Sequence, residues 1–119
     1  VQVGIITGRV SKLLQRRADE LGISPVVQGR EDKLTALDEL LETMDIQMDE
    51  IAFMGDDLPD LAVINRVGLG MTVANGSATV AASAIWQTSR CGGNGAVREA
   101  AEMILSAQGK LDAILATYQ

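Results

Sequence analysis

Short apolar segments alternate with amphipathic ones along the chain, and this alternation limits the possible folds more than any other feature. The amphipathic segments have apolar residues at every third or fourth position, which is typical of helices packed on a core. Regular strand-helix alternation with short connections predicts an α/β fold with a doubly wound parallel sheet. The predicted strands are residues 1–6, 26–27, 51–54, 68–73 and 85–87, and the predicted helices are residues 11–21, 33–44, 57–67, 77–83, 96–108 and 110–118.

Length and composition exclude several classes of protein. The chain has 119 residues, which predicts one domain over residues 1–119, and 47% of them are hydrophobic. A net charge of −6 argues against nucleic-acid binding, and no apolar run reaches the roughly 18 residues of a membrane helix. The chain contains no histidine, which excludes histidine triads and histidine-ligated metals. Cys91 is the single cysteine, so no internal disulfide forms and a cytoplasmic location is expected.

The first residues, Val1 to Gly4, contain neither an initiator methionine nor a charged leader. They have the composition of the middle of a strand. We therefore expect the sequence to be the C-terminal part of a longer, N-terminally truncated protein.

Three polar clusters lie just beyond predicted strands. Thr7-Gly8-Arg9 follows the first strand, Lys33 comes shortly after the second, and residues 55–60, Gly-Asp-Asp-Leu-Pro-Asp, follow the third. In open parallel sheets, ligands bind beyond the carboxyl ends of the strands. The shared position of the clusters predicts one binding site at that edge.

Thr7 and Gly8 have two interpretations. A hydroxyl and free backbone N–H groups at a strand-to-helix turn can bind phosphate or another oxyanion. The same pair could simply form the turn and cap the following helix. Lys33 is similarly open: it could be a solvated surface lysine, or a charge that holds a phosphate beside a carboxylate nucleophile.

Asp56, Asp57 and Asp60 give the strongest signal. Close carboxylates repel one another unless a cation or hydrogen-bond donors neutralise them, and hard oxygen ligands suit Mg²⁺. The alternative is an acidic helix N-terminus, with one aspartate as the cap. One aspartate would be enough for a cap, and Asp56 directly abuts a buried strand, so the pattern favours the metal site.

In order and spacing, Ile5-Ile6-Thr7-Gly8-Arg9, Lys33 and residues 55–60 resemble motifs II, III and IV of the haloacid dehalogenase (HAD) superfamily of phosphatases. The stretches QGREDK (28–33), VGLG (67–70) and GGNGAVRE (92–99) extend the resemblance over essentially the whole chain. They resemble the small capless subclass, which acts on sugar-acid phosphates such as 3-deoxy-D-manno-octulosonate 8-phosphate in lipopolysaccharide precursor synthesis. Phosphatases of related nonulosonate 9-phosphates are an alternative.

The resemblance implies a mechanism with a Mg²⁺ cofactor. An aspartate nucleophile attacks phosphorus, and a second aspartate acts as acid and base. Asp56 would bind Mg²⁺, and Asp57 and Asp60 would orient the ion or its waters. The catalytic residues carried by this chain would be Lys33 and Asp56.

The resemblance also implies how the substrate is bound. Thr7 and the Gly8 N–H would bind phosphate, and Lys33 would bridge phosphate and nucleophile. Arg9 would contact the substrate's carboxylate or its phosphate. Arg98 would bind the substrate's carboxylate, or it could be a surface or interface charge. Family members form homotetramers in which the glycine-rich C-terminal segment reaches toward a neighbouring active site.

One family element is missing. The D-x-D motif, which carries the nucleophile, the acid-base group and a Mg²⁺ ligand, has no counterpart here and is expected upstream of Val1. The first strand and a β-hairpin of the family core are expected there too. We therefore expect this chain by itself to be inactive and to fold poorly, since loss of a central strand exposes unpaired edges.

Two other classes of function stay open. The chain could be a non-catalytic binding or oligomerisation module of the same superfamily. A receiver domain is disfavoured, because its acidic pair follows the first strand, where this chain has Thr7-Gly8-Arg9.

Overall fold

Every strand pair in the structure is parallel, and helices separate the strands along the chain. The structure is a computed structural model that describes residues 2–118. Its strands are β1 (Ile5–Ile6), β2 (Val26–Val27), β3 (Ala52–Met54), β4 (Leu69–Thr72) and β5 (Trp86–Gln87). Its α-helices are α1 (Lys12–Leu21), α2 (Lys33–Leu41), α3 (Leu61–Ile64), α4 (Ala78–Ser83), α5 (Ala96–Ala107) and α6 (Leu111–Ala116), and 3₁₀ helices span Met48–Glu50 and Leu58–Asp60. The predicted α/β class is confirmed.

The strands of the described residues form two sheets. β1 pairs with β2, with Ile5 opposite Val26, and a second sheet has the order β3-β4-β5. Within the second sheet, Phe53 lies opposite Gly70 and Met71 lies opposite Trp86. Each of β1 and β3 therefore has one edge without a partner strand among residues 2–118.

Local sequence explains where the helices begin and end. The Ser11 hydroxyl accepts a hydrogen bond from the Leu14 N–H at 3.1 Å and starts α1, and Gly22 ends it in a left-handed conformation (φ 69°). The helix predicted over residues 57–67 is shorter than expected. A 3₁₀ turn replaces its first residues, and α3 ends at Ile64 because the chain must turn back to enter β4.

The ends of the chain differ from the prediction in detail. Only Ile5 and Ile6 of the predicted first strand are paired, and Val1 lies outside the described residues. The predicted C-terminal helix is present as α6, which contacts α5 and leaves Ile114 and Leu115 exposed. Within residues 2–118, no helix combines the length and apolarity needed to cross a membrane.

An aliphatic cluster between α2 and α3 forms the centre of the core. Leu37, Val63 and Val67 are buried, and Val63 has no exposed surface. Half-buried side chains from β1, β3, α2 and the segment before β3 pack around them: Ile6, Leu34, Leu41, Met48, Ile51 and Phe53. Because Ile6 belongs to β1 and Phe53 to β3, this cluster holds the two sheets at a fixed separation.

We expect Val63→Ala to lower the free energy of unfolding by about 2 kcal/mol, because it leaves a cavity in this cluster. Val97→Ala is the matched control, since Val97 is 75% exposed and should change stability by less than about 0.5 kcal/mol. Urea denaturation of the natural full-length protein measures both. Equal effects would show that the cluster does not hold the fold together.

Candidate functional site

A cavity of about 210 Å³ lies between the free edges of β1 and β3. Ile6 contributes from β1, and Phe53 and Met54 contribute from β3. The remaining walls come from the polar clusters and two loops: Lys33, Gly55, Asp56, Asp60, Val73 and Gly92. The predicted meeting of Lys33 with the aspartate cluster at one edge is therefore present in the structure.

A close ion pair forms the charged wall of this cavity. Lys33 Nζ lies 2.6 Å from Asp60 Oδ1, and the two side chains are 15% and 5% exposed. Lys33 is the first residue of α2, and Asp60 is the last residue of the 3₁₀ turn after β3. The pair thus joins the halves of the site across 27 residues of sequence.

Asp60 also organises the loop that follows β3. Its Oδ2 accepts hydrogen bonds from the backbone N–H groups of Asp56, at 3.0 Å, and Asp57, at 3.3 Å. Gly55 is needed for this arrangement, because a Cβ there would overlap the Asp60 side chain. With Lys33 as a third donor, the Asp60 carboxylate is surrounded by protein groups.

The other two aspartates remain exposed and differ in what they do. The Asp57 carboxylate accepts a hydrogen bond from the Leu58 N–H at 2.8 Å and caps the 3₁₀ turn. The Asp56 carboxylate takes no part in the hydrogen bonds that shape this loop, and its backbone carbonyl accepts from the Ser77 N–H at 2.9 Å. Capping, the alternative to the metal site, thus applies to Asp57, whereas Asp56 is exposed and lines the cavity.

The donor set fits a magnesium ion that is only partly coordinated by protein. Among residues 2–118, no group of three or more acidic, cysteine or histidine side chains is placed to hold a metal. Mg²⁺ commonly uses one or two carboxylates, with water and phosphate completing its octahedron. Asp56 can supply one such carboxylate, so a complete site needs ligands from elsewhere.

Thr7, Gly8 and Arg9 form a tight turn after β1. The Thr7 hydroxyl accepts a hydrogen bond from the Arg9 N–H at 3.2 Å, and the Thr7 N–H donates to the Val27 carbonyl. None of the three lines the cavity, although the adjacent Ile6 does. A Cβ on Gly8 would lie 3.1 Å from Glu31 Cγ, which places this turn beside the loop before Lys33.

Arg98 lies apart from the cavity. Its side chain is 83% exposed, and its Nε is 3.0 Å from Glu102 Oε1, one turn along α5. It lines a separate open groove of about 630 Å³, together with Arg90 and the loop before α5. The structure therefore does not bring Arg98 to the cavity that holds Lys33 and Asp56.

The glycine-rich loop, residues 91–95, contributes to the cavity in a way that sequence reasoning missed. Gly92 lines the cavity, and its N–H donates to Asn75 Oδ1 at 2.8 Å. Asn75 follows β4 at the carboxyl edge of the sheet, so the strand-end rule that selected Lys33 could also have selected Asn75.

Glu99 holds the two residues that precede this loop, Ser89 and Arg90. Its carboxylate accepts hydrogen bonds from the Ser89 N–H, the Arg90 N–H and the Ser89 hydroxyl, at 2.9 to 3.1 Å. The Ser89 N–H, followed by the Arg90 N–H and the Ser89 hydroxyl, holds the pKa of the Glu99 carboxyl below its ordinary value of 4.5. The loop is thus held by Asn75 on one side and Glu99 on the other.

Residues 6–99 match the family model described as haloacid dehalogenase-like hydrolase. This range includes Lys33, the aspartate cluster and the first part of α5. The chain belongs to the haloacid dehalogenase-like hydrolase family.

A curated relative gives a finer comparison. The chain is 46% identical over 112 residues to the 3-deoxy-D-manno-octulosonate 8-phosphate phosphatase KdsC of Yersinia pestis, and the match covers 94% of this chain. The match covers 60% of the relative, so the chain spans about three fifths of the length of the curated phosphatases that it matches.

Solved structures agree with this comparison. A probable YrbI family phosphatase from Pseudomonas syringae has a TM-score of 0.97 and 51% identity, covering 99% of this chain and 67% of that one. The 3-deoxy-D-manno-octulosonate 8-phosphate phosphatase of Moraxella catarrhalis has a TM-score of 0.97 and 48% identity, covering 100% of this chain and 68% of that one. The latter was crystallised in complex with a magnesium ion, a phosphate ion and a KDO molecule.

We expect Asp60→Asn to lower the free energy of unfolding by about 3 kcal/mol, because it leaves the largely buried Lys33 cation without its counter-charge. Asp57→Asn is the matched control, since asparagine caps a helix about as well as aspartate, and we expect a change below about 0.5 kcal/mol. Urea denaturation of the natural full-length protein measures both changes. If Lys33→Met does not recover part of the Asp60→Asn loss, the ion pair is not the reason for it.

The lowered pKa of Glu99 predicts a contribution to stability that depends on pH. The contribution is fully present above the ordinary pKa of 4.5 and is lost as pH falls through the lower pKa of the folded state. We expect Glu99→Gln to flatten the dependence of unfolding free energy on pH below about 4.5. Part of the slope should persist, because Arg30 also lowers the pKa of Asp32 and of Glu39. Identical slopes in variant and parent would contradict the role of Glu99.

Proposed function

We propose that this chain provides part of the active site of a Mg²⁺-dependent phosphatase that hydrolyses 3-deoxy-D-manno-octulosonate 8-phosphate through an aspartyl-phosphate. The observation that carries the proposal is the convergence of Lys33, Asp56 and Asp60 on a cavity between two free strand edges. Similarity to the phosphatases of Yersinia pestis and Moraxella catarrhalis supports this substrate.

The nucleophile comes from outside residues 1–119 in this proposal. The free edges of β1 and β3 flank the cavity, and a parallel strand between them would join the two sheets into one. Such a strand would end at the same edge as Lys33 and Asp56, because parallel strands share their carboxyl edge. A D-x-D pair at its end would then supply the attacking carboxylate and the acid-base group.

Lys33 is the cation that this chain directs at the phosphoryl group. The Asp60 carboxylate holds Lys33 Nζ at the cavity wall, at 2.6 Å, which lowers the entropic cost of positioning a long side chain. In this position, the ammonium group would attract both a phosphate and an anionic nucleophile and reduce their mutual repulsion. Asp60 acts through Lys33 and through the backbone of the Asp56 loop, and so it is a positioning residue.

Asp56 is the residue of this chain that would hold Mg²⁺. When bound, the ion neutralises charge on the phosphoryl oxygens. Asp57, exposed beside Asp56, would accept hydrogen bonds from the waters of the ion, as would any remaining lone pair of Asp60. Thr7 and the Gly8 N–H would bind phosphate oxygens from the turn that follows Ile6, a residue of the cavity wall, with Arg9 toward the sugar acid.

The remaining parts of the proposal concern substrate and assembly. Arg98 would contact a substrate carboxylate from a neighbouring subunit, since it lies outside this chain's own cavity. This requires the homotetramer that the family resemblance implies, which sedimentation analysis would test. A nonulosonate 9-phosphate is the competing substrate, and a cytoplasmic location is expected from the single cysteine, Cys91.

We expect the natural full-length protein to release phosphate from 3-deoxy-D-manno-octulosonate 8-phosphate when Mg²⁺ is present, and to stop when it is chelated. Asp56→Asn should lower kcat/KM at least roughly hundredfold, since it removes a metal ligand. Asp57→Asn, the same chemical change one residue away, should cost about tenfold or less. Phosphate release measured with a coupled assay checks both.

Three outcomes would decide between the alternatives. Residues 1–119 alone should release no phosphate, because the nucleophile is outside them. A full-length protein that binds phosphate but hydrolyses no sugar-acid phosphate would favour the non-catalytic binding module. A preference for a nonulosonate 9-phosphate over the octulosonate ester would reassign the substrate while retaining the site.

A further inference from the structure

At position 92, the contacts and backbone angles of the described residues do not explain why the residue is glycine. Its neighbours Gly93 and Gly95 have φ values of 76° and 92°, which side chains of L-residues rarely permit, whereas Gly92 has no positive φ. A Cβ on Gly92 would lie 3.6 Å from Asn75 Oδ1 and 3.6 Å from Val73 Cγ2, which are ordinary contact distances. Neither backbone conformation nor packing among the described residues requires glycine at this position.

Hydrogen bonds hold the segment that contains Gly92. Its N–H donates to Asn75 Oδ1 at 2.8 Å, and the segment before it is held by Glu99 through Ser89 and Arg90. Gly92 and the buried Val73 form an uncharged wall of the cavity that also contains Lys33 and Asp56. A missing side chain at a fixed point of a cavity wall enlarges the space available to an occupant.

We propose that Gly92 is a specificity-determining residue, whose missing side chain leaves room for the bulky organic part of a sugar-acid phosphate. This inference rests on the proposed phosphatase function. The Lys33 ammonium group attracts the phosphate, whereas Val73 and Gly92 carry no charge, so the organic part of the ester extends along the wall that these two residues form. The wall belongs to the same chain as Lys33.

The test compares a bulky substrate with a small one in the natural full-length protein. We expect Gly92→Val to lower kcat/KM for 3-deoxy-D-manno-octulosonate 8-phosphate by roughly tenfold to hundredfold, mainly through KM, because added methyl groups occupy the space of the substrate. For acetyl phosphate, which has a small organic part, kcat/KM should stay within about twofold. Gly92→Ala should show the same pattern with a smaller effect, and it guards against a folding defect because its Cβ fits.

Ala101→Val is the matched control, since Ala101 is exposed on α5 and the substitution adds side-chain volume away from the cavity. It should leave both substrates unaffected. An equal loss for both substrates in Gly92→Val, or no loss for the sugar-acid phosphate, would overturn the inference. If the proposed phosphatase function is wrong, the unsubstituted parent protein will hydrolyse neither substrate, and this result is distinct from any effect of the Gly92 substitutions.

Discussion

The Asp60 carboxylate is the group on which the rest of the site depends. It receives Lys33 on one oxygen and the backbone of the Asp56 loop on the other, while Gly55 makes room for it. A carboxylate that is almost fully buried is stable only when donors surround it, and here the donors are the Lys33 ammonium group and the backbone N–H groups of Asp56 and Asp57. The position of Lys33 and the shape of the loop that carries Asp56 are therefore set by the same residue.

Much of the fold could be predicted because two general rules for parallel sheets apply to this sequence. Apolar strands alternating with amphipathic helices indicate a parallel sheet, and parallel strands bring their carboxyl ends to one edge. These rules place Lys33 near Asp56 without any knowledge of side-chain contacts. They fail at α3, where the 3₁₀ turn and the return of the chain to β4 shorten a helix whose apolar pattern is continuous.

The different roles of Asp56, Asp57 and Asp60 could not be predicted, because three identical side chains give no indication in the sequence of which one is buried. Asp60 is 4% exposed, whereas Asp56 and Asp57 are exposed, and only the three-dimensional loop separates ion-pair partner, helix cap and free carboxylate. The same limit of sequence-based prediction, that identical residues cannot be told apart, applies to Gly92. The sequence gives a run of glycines, but backbone angles are needed to distinguish those required by conformation from one that borders a cavity.

The free edges of β1 and β3 affect how copies of this protein associate with one another. An unpaired parallel edge presents alternating N–H and C=O groups to any extended segment of suitable length. If a strand of the same molecule fills the gap, as proposed, this completion competes with strand exchange between molecules, and the balance shifts with protein concentration. The gap between β1 and β3 is thus also the place where strand exchange between neighbouring copies would occur at high protein concentration.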